Sequence, residues 1–143
     1  MRYVRFMGEK EIERYLKRRH LFNTTNWEEH GSRTGSVGFC FFDDSVEPEQ
    51  RMEYLTGVVS MDAVAVFEPI GELNFRESMG MYRDPEKDKN LGILEFLFVK
   101  PPMMPVKEYS LTEYSYKTMR LVRLGIPKWH IDRKIIEWIH ESV

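Results

Sequence analysis

His30–Phe42 reads HGSRTGSVGFCFF. A polar loop punctuated by glycines, Gly31 to Ser36, runs straight into the apolar stretch Val37–Phe42. That stretch ends at Asp43-Asp44 and has the length and aromatic content of a buried strand. The loop before it offers backbone N–H groups, the hydroxyls of Ser32, Thr34 and Ser36, and the guanidinium of Arg33. A polar rim held on a rigid strand is a common way for a small α+β domain to present a ligand site.

Upstream, Tyr3–Met7 alternates as a short first strand, and Gly8 turns the chain into a helix over Glu9–Arg19. Ile12, Tyr15 and Leu16 follow helical spacing. Glu9, Glu11 and Glu13 come first and Lys17-Arg18-Arg19-His20 last, the order that complements a helix dipole. Leu21–His30 is an irregular loop in which Asn23, Thr24, Thr25 and Asn26 favour turns and Trp27 anchors the chain.

Downstream, Ser45–Thr56 forms a second helix, with Pro48 near its first turn and Met52 and Leu55 facing inward. Val58–Ser60 and Ala63–Glu68 are strand-like, whereas Gly71–Tyr82 fits neither period cleanly. Arg83–Asn90 (RDPEKDKN) reads as a solvated loop and Ile93–Lys100 as a strand, which Pro101-Pro102 and Pro105 break. Val106–Ser115 and Met119–Leu124 are expected to pair. Pro127 opens a closing amphipathic helix to His140, with Ile131, Ile135, Trp138 and Ile139 as its stripe. The expected architecture is one α+β domain over residues 1–143, with mixed, mostly antiparallel sheets.

Composition removes several function classes. Apolar residues make up 42 % of 143 and charged ones 31 %, which excludes disorder. Net charge is −2, from 21 basic and 23 acidic residues, a balance unlike that of a protein built to coat nucleic acid. Cys40 is the single cysteine, so an internal disulfide and a cysteine zinc site are excluded, and its apolar neighbours favour an unreactive thiol. His20, His30, His130 and His140 are too scattered to share a metal. Phosphate-cradling glycine motifs and the GxSxG elbow are absent. No apolar stretch reaches transmembrane length and MRYVRFMGEKE does not read as a signal peptide, so the cytoplasm is the expected compartment.

One constellation remains: Arg5 on the first strand, Ser36 at the mouth of Val37–Phe42, and Glu108 and Glu113 in VKEYSLTEYSY. If their strands are neighbours, arginine forks onto phosphate or ribose oxygens and a carboxylate stabilises an oxocarbenium-like centre. The structural alternatives are an ion pair of Arg5 with Glu68 or Glu113, a turn cap at Ser36, and a charged solvent face carrying Glu108 and Glu113.

With these residues the chain resembles the ADP-ribosyltransferase superfamily. YVRFMGEKEIERYLKRRHL is similar to that family's opening strand and helix, TGSVGFCFF to its serine-led second strand, and EYSLTEYS to its late glutamate strand. About a third of the chain takes part. The resemblance implies an NAD-binding split β-sandwich in which Arg5, Arg33, Thr34 and Ser36 hold the cofactor and Glu113 is catalytic, with Glu108 its rival. A serine-x-serine and a tight glutamate-x-glutamate are missing. The whole pattern also resembles small proteins of bacteria and their phages.

Three functions follow as expectations. The first is NAD-dependent ADP-ribosyl transfer to a macromolecular acceptor. The second is a non-catalytic protein-binding role, such as a phage-type inhibitor of a host nuclease or defence protein, with Met103-Met104 between Pro102 and Pro105 as an apolar tip. The third is RNA binding through Lys17–His20 and the loop around Phe22 and Trp27.

Overall fold

The structure is a computed structural model that describes residues 1–17, 21–22, 39–55, 59–88, 102–111, 113–129 and 134–141. The elements in chain order are β1 (Tyr3–Met7), α1 (Glu9–Leu16), β2 (Leu21–Phe22), β3 (Phe39–Asp43), α2 (Pro48–Leu55), β4 (Ala63–Pro69), β5 (Arg76–Arg83), α3 (Pro85–Asp88), β6 (Met103–Leu111), β7 (Glu113–Tyr114), β8 (Met119–Trp129) and β9 (Lys134–Glu141). Seven strands form one antiparallel sheet in the order β5-β6-β3-β1-β4-β8-β9, and β2 pairs with β7 beside it. The expected α+β class with mostly antiparallel pairing is what the described residues form.

Strand alternation sorts the apolar residues into two cores, one on each face of the sheet. On the first face Met7, Phe39, Phe41, Ala65, Phe67, Tyr109, Tyr114 and Met119 meet Ile12 and Tyr15 of α1. On the second face Val4, Phe6, Phe42, Val64, Val66, Tyr82, Val106 and Val122 meet Met52, Tyr54 and Leu55 of α2. Each large side chain fully withdrawn from water contributes about 1.5–3 kcal/mol. Edge-on aromatic contacts order the first core: Tyr15 meets Phe67 at 5.1 Å and Phe39 meets Tyr114 at 4.8 Å between ring centroids. The Tyr15 hydroxyl also donates to the Met119 carbonyl at 2.5 Å. The first helix is capped from outside its own sequence, because the Asp62 carboxylate accepts from the Glu9 N–H at 3.1 Å.

Three expectations are corrected. The closing helix from Pro127 to His140 is replaced by the β8–β9 hairpin, in which Pro127 pairs with Ile136 and Gly125 with Trp138. Pro127 is tolerated because β8 has run past β4, whose first pair with it is Val64 with Gly125, so only one neighbour needs its backbone donors there. Gly125 is required for close approach: a Cβ would lie 2.4 Å from Ile136 Cγ2. Met119–Leu124 does not pair with Val106–Ser115; β8 lies between β4 and β9, and β6 between β5 and β3. The charged run after Arg83 contains the single turn α3, which Asp84 starts by accepting from the N–H groups of Glu86 and Lys87. The strand expected at Ile93–Lys100 lies outside the described residues.

Candidate functional site

Arg5 is where the expected cleft should begin. It leaves β1 on the first face, because Val4 and Phe6 on either side belong to the second core. The β1–Gly8–α1 turn brings the first turn of α1 back over the strand. Nε and Nη2 of Arg5 both donate to Glu11 Oε1, at 2.9 and 2.7 Å, and Nη1 donates to the Cys40 carbonyl at 2.8 Å. The Arg5 guanidinium carbon lies 5.1, 5.7 and 5.8 Å from the ring centroids of Phe39, Phe41 and Tyr114. The Tyr114 hydroxyl donates to the same Glu11 oxygen at 2.9 Å. Arg5 is only 6 % exposed. Burial, the largest single influence, acts to lower its pKa, but Glu11, Tyr114 and Cys40 together outweigh it and leave the guanidinium more firmly charged than usual. Burial, followed by Glu11, pushes the Tyr114 phenol well above its ordinary range.

Glu108 is elsewhere. It is fully buried on β6, directly opposite Ser78 of β5, and its carboxylate covers the space beside Gly80. Tyr82 and Val106, its neighbours on that face, belong to the second core. Arg5 and Glu108 therefore face opposite sides of the sheet, so of the two candidate glutamates Glu108 does not share a cleft with Arg5. The strand period explains it: Tyr109 and Leu111 face the Arg5 side, so Glu108 between Lys107 and Tyr109 faces away. Glu113 begins β7, where its backbone pairs with Phe22, next to Tyr114, whose ring lies 5.8 Å from the Arg5 guanidinium. Arg33, Thr34 and Ser36 lie outside the described residues, as do Arg18, Arg19, His20 and Trp27 of the RNA-binding expectation.

The residues that sequence reasoning missed are Glu11 and Arg51. Glu11 forms an ion pair with Arg5, and Glu68 bonds Arg2 at 3.0 Å and Arg120. Arg51 of α2 is the counterpart of Arg5 on the second face. It donates to the Tyr54 hydroxyl at 2.8 Å and to the Asp43 carbonyl and carboxylate at 2.9 and 3.0 Å, and it lies 5.2 Å from the Phe42 ring centroid. Asp43 also accepts from the Ser45 N–H and hydroxyl and from the Tyr109 hydroxyl. Partial burial acts to raise the Asp43 pKa, and the Ser45 bonds, Arg51 and Tyr109 together hold it below its usual value. Both buried arginines bind the fold's own carboxylates and carbonyls. Of the residues the resemblance assigns to NAD, Arg5 alone is among the described residues, and its guanidinium is engaged by Glu11 and the Cys40 carbonyl. Among the described residues no cluster of His, Cys, Asp and Glu is placed to hold a metal.

Among the described residues, exposed methionines group at the β5 end of the sheet. Directly opposed residues in an antiparallel pair share a face. The register sets Glu77 beside Tyr109, Met79 beside Lys107, Met81 beside Pro105 and Arg83 beside Met103. The side chains of Met79, Met81 and Met103 are 57, 56 and 40 % exposed, and Pro105 is exposed with them. Lys107 bonds Glu77 at 3.1 Å along one margin, and Arg83 is exposed at the other. Met104, read from sequence as part of an apolar tip with Met103, turns instead to the second core. Among the described residues no helix is long and apolar enough to cross a membrane.

No family model matches the chain, and neither a curated protein nor a solved structure does.

Proposed function

We propose that this protein is a non-catalytic binding protein whose contact surface is the methionine face of β5 and β6. The observation that supports the reading is the grouping of Met79, Met81 and Met103 on one side of a two-stranded ribbon whose other side is anchored by Tyr82 and Val106. Thioether side chains are unbranched and polarisable, so they adapt to an irregular apolar partner surface. A sheet backbone beneath them lowers the ordering cost of binding. The partner implied is a protein presenting apolar side chains, bordered by charge that meets Glu77, Lys107 and Arg83.

The test compares the wild-type protein with the double variant Met79→Asp, Met81→Asp, both changes being on exposed positions. A protein partner retained by the wild type and released by the variant, with the folded state intact, supports the reading. Retention of the same partner at the same affinity by both proteins overturns it. The enzymatic alternative has separate support only from the proximity of the β7 segment to Arg5 through Tyr114. Transfer of label from NAD to protein that is abolished by Glu113→Ala would favour that alternative over the binding reading.

A further inference from the structure

We infer that Met79 is a selective site of sulfoxide formation by hydroperoxides, set apart from Met81 by the Lys107 side chain that faces it across β5 and β6. Met79 and Met81 lie two residues apart on one strand, share its first face, and are 57 and 56 % exposed. Their cross-strand neighbours differ. Lys107 stands directly opposite Met79, and Pro105 directly opposite Met81. Opposed side chains on one face have Cβ atoms about 5 Å apart, within reach of a long side chain. Lys107 Nζ bonds Glu77 at 3.1 Å and lies 5.6 Å from the Tyr109 ring centroid. Glu77 and Tyr109 form the next opposed pair on that face, on the side of Met79 away from Met81. The ammonium therefore leans away from Met81, and of the two thioethers Met79 has it as a neighbour.

Thioether oxidation needs a proton donor as well as an oxidant. A sulfur lone pair attacks the near oxygen of the hydroperoxide, and the S–O bond forms as the O–O bond breaks. The far oxygen leaves poorly as an anion and readily once a donor protonates it to water or an alcohol. The hydroxyl on sulfur then returns its proton to the donor, leaving the sulfoxide and a regenerated ammonium. Sulfur has lost two electrons and the peroxide has gained them. Lysine carries three N–H donors, so the bond to Glu77 leaves donors for a peroxide oxygen. The hydrogen bond from Glu77, and then its charge, raise the Lys107 pKa above the ordinary value, so the group stays protonated through the neutral range. Pro105 offers Met81 no side-chain donor. The product at Met79 is a polar acceptor at the margin of the methionine face. Its effect on a bound partner rests on the binding reading, whereas the selectivity itself does not.

Dilute hydrogen peroxide on the full chain tests it, with site occupancy read by tandem mass spectrometry. Trypsin releases both methionines in the peptide ESMGMYR, and fragment ions that break at Gly80 separate them. In the folded wild type Met79 is expected to oxidise at least about threefold faster than Met81, a small part of what a positioned acid supplies in an enclosed site. In concentrated urea the two rates are expected to converge. Lys107→Gln is expected to bring the Met79 rate down to that of Met81 and to leave Met81 unchanged. Pro105→Lys sets an ammonium opposite Met81 and is expected to speed Met81 by a similar factor. Lys107 and Pro105 are both exposed, so the variants are expected to keep the wild-type circular dichroism. Equal rates in the folded wild type overturn the inference. So does a preference for Met79 that survives urea or Lys107→Gln, or a Met81 rate indifferent to Pro105→Lys. Partner capture is read separately by the methionine-to-aspartate variant, so the two readings fail independently.

Discussion

Arg5 and Glu108 sit on opposite faces of one sheet, with β3 between their strands. Each is nearly or fully buried. Arg5 is held by Glu11, the Cys40 carbonyl and three aromatic rings, and Glu108 packs against Gly80 and Tyr82. Glu108, the rival to Glu113 in the expected site, thus belongs to a different core from Arg5.

The Arg5–Glu11 pair gives the first prediction. Removing the carboxylate by Glu11→Ala takes the Glu11 charge away from a guanidinium buried among Phe39, Phe41 and Tyr114, at an expected cost of roughly 3 kcal/mol. The double change Arg5→Met with Glu11→Leu is expected to cost clearly less, because both charges go together. Urea titrations of the two variants measure this. Equal losses would show that the pair contributes through shape and not through charge.

Asp43 gives a pH dependence with a definite sign. Its folded pKa lies below its unfolded one, so its contribution is fully present above the unfolded value of about 3.9 and is lost as pH falls through the folded pKa. Asp43→Asn is expected to lower stability near neutrality and to flatten the acid limb of the stability curve. Thermal melts of both proteins at a series of pH values check it; parallel acid limbs would refute it.

Gly80 is a packing prediction. A Cβ there would stand 2.6 Å from Glu108 Oε1 and 2.6 Å from Tyr82 Cε2. Gly80→Ala is expected to destabilise by about 1–3 kcal/mol, and Glu108→Ala in the same chain to relieve part of that loss. Strict additivity in denaturant melts would place the Glu108 carboxylate away from Gly80.

Much of the first half was legible in the sequence because local signals and packing agree there. Tyr3–Met7 alternates and forms β1, Gly8 separates it from α1, and Met52 and Leu55 of the second helix face inward as their spacing implies. The last segment misled because Ile131, Ile135, Trp138 and Ile139 mimic a helical stripe, whereas Ile136 and Trp138, two apart, are the residues packed with the second core. Pairing with β8 decided that competition, and no local feature of residues 127–140 encodes it. Glu108 was unreadable for a related reason: a glutamate between Lys107 and Tyr109 resembles a solvent position until the register with Gly80 is known. Glu11 carried a weak signal, as an acid one helical turn past the glycine that follows Arg5's strand.

Oxidation separates the methionines by exposure. Met79, Met81 and Met103 are open to solvent, whereas Met7, Met52 and Met119 are fully buried. Dilute peroxide is expected to convert the first three to sulfoxides well before the last three, as read by peptide mass spectrometry. Equal rates would show that the methionine face is covered.

The most direct measurement of the binding account is the nuclear magnetic resonance spectrum of protein labelled at the methionine methyl groups, recorded alone and with its captured partner. The account expects the signals of Met79, Met81 and Met103 to shift or broaden while those of Met7, Met52 and Met119 stay in place. Partner-induced changes that spare Met79, Met81 and Met103 would contradict it.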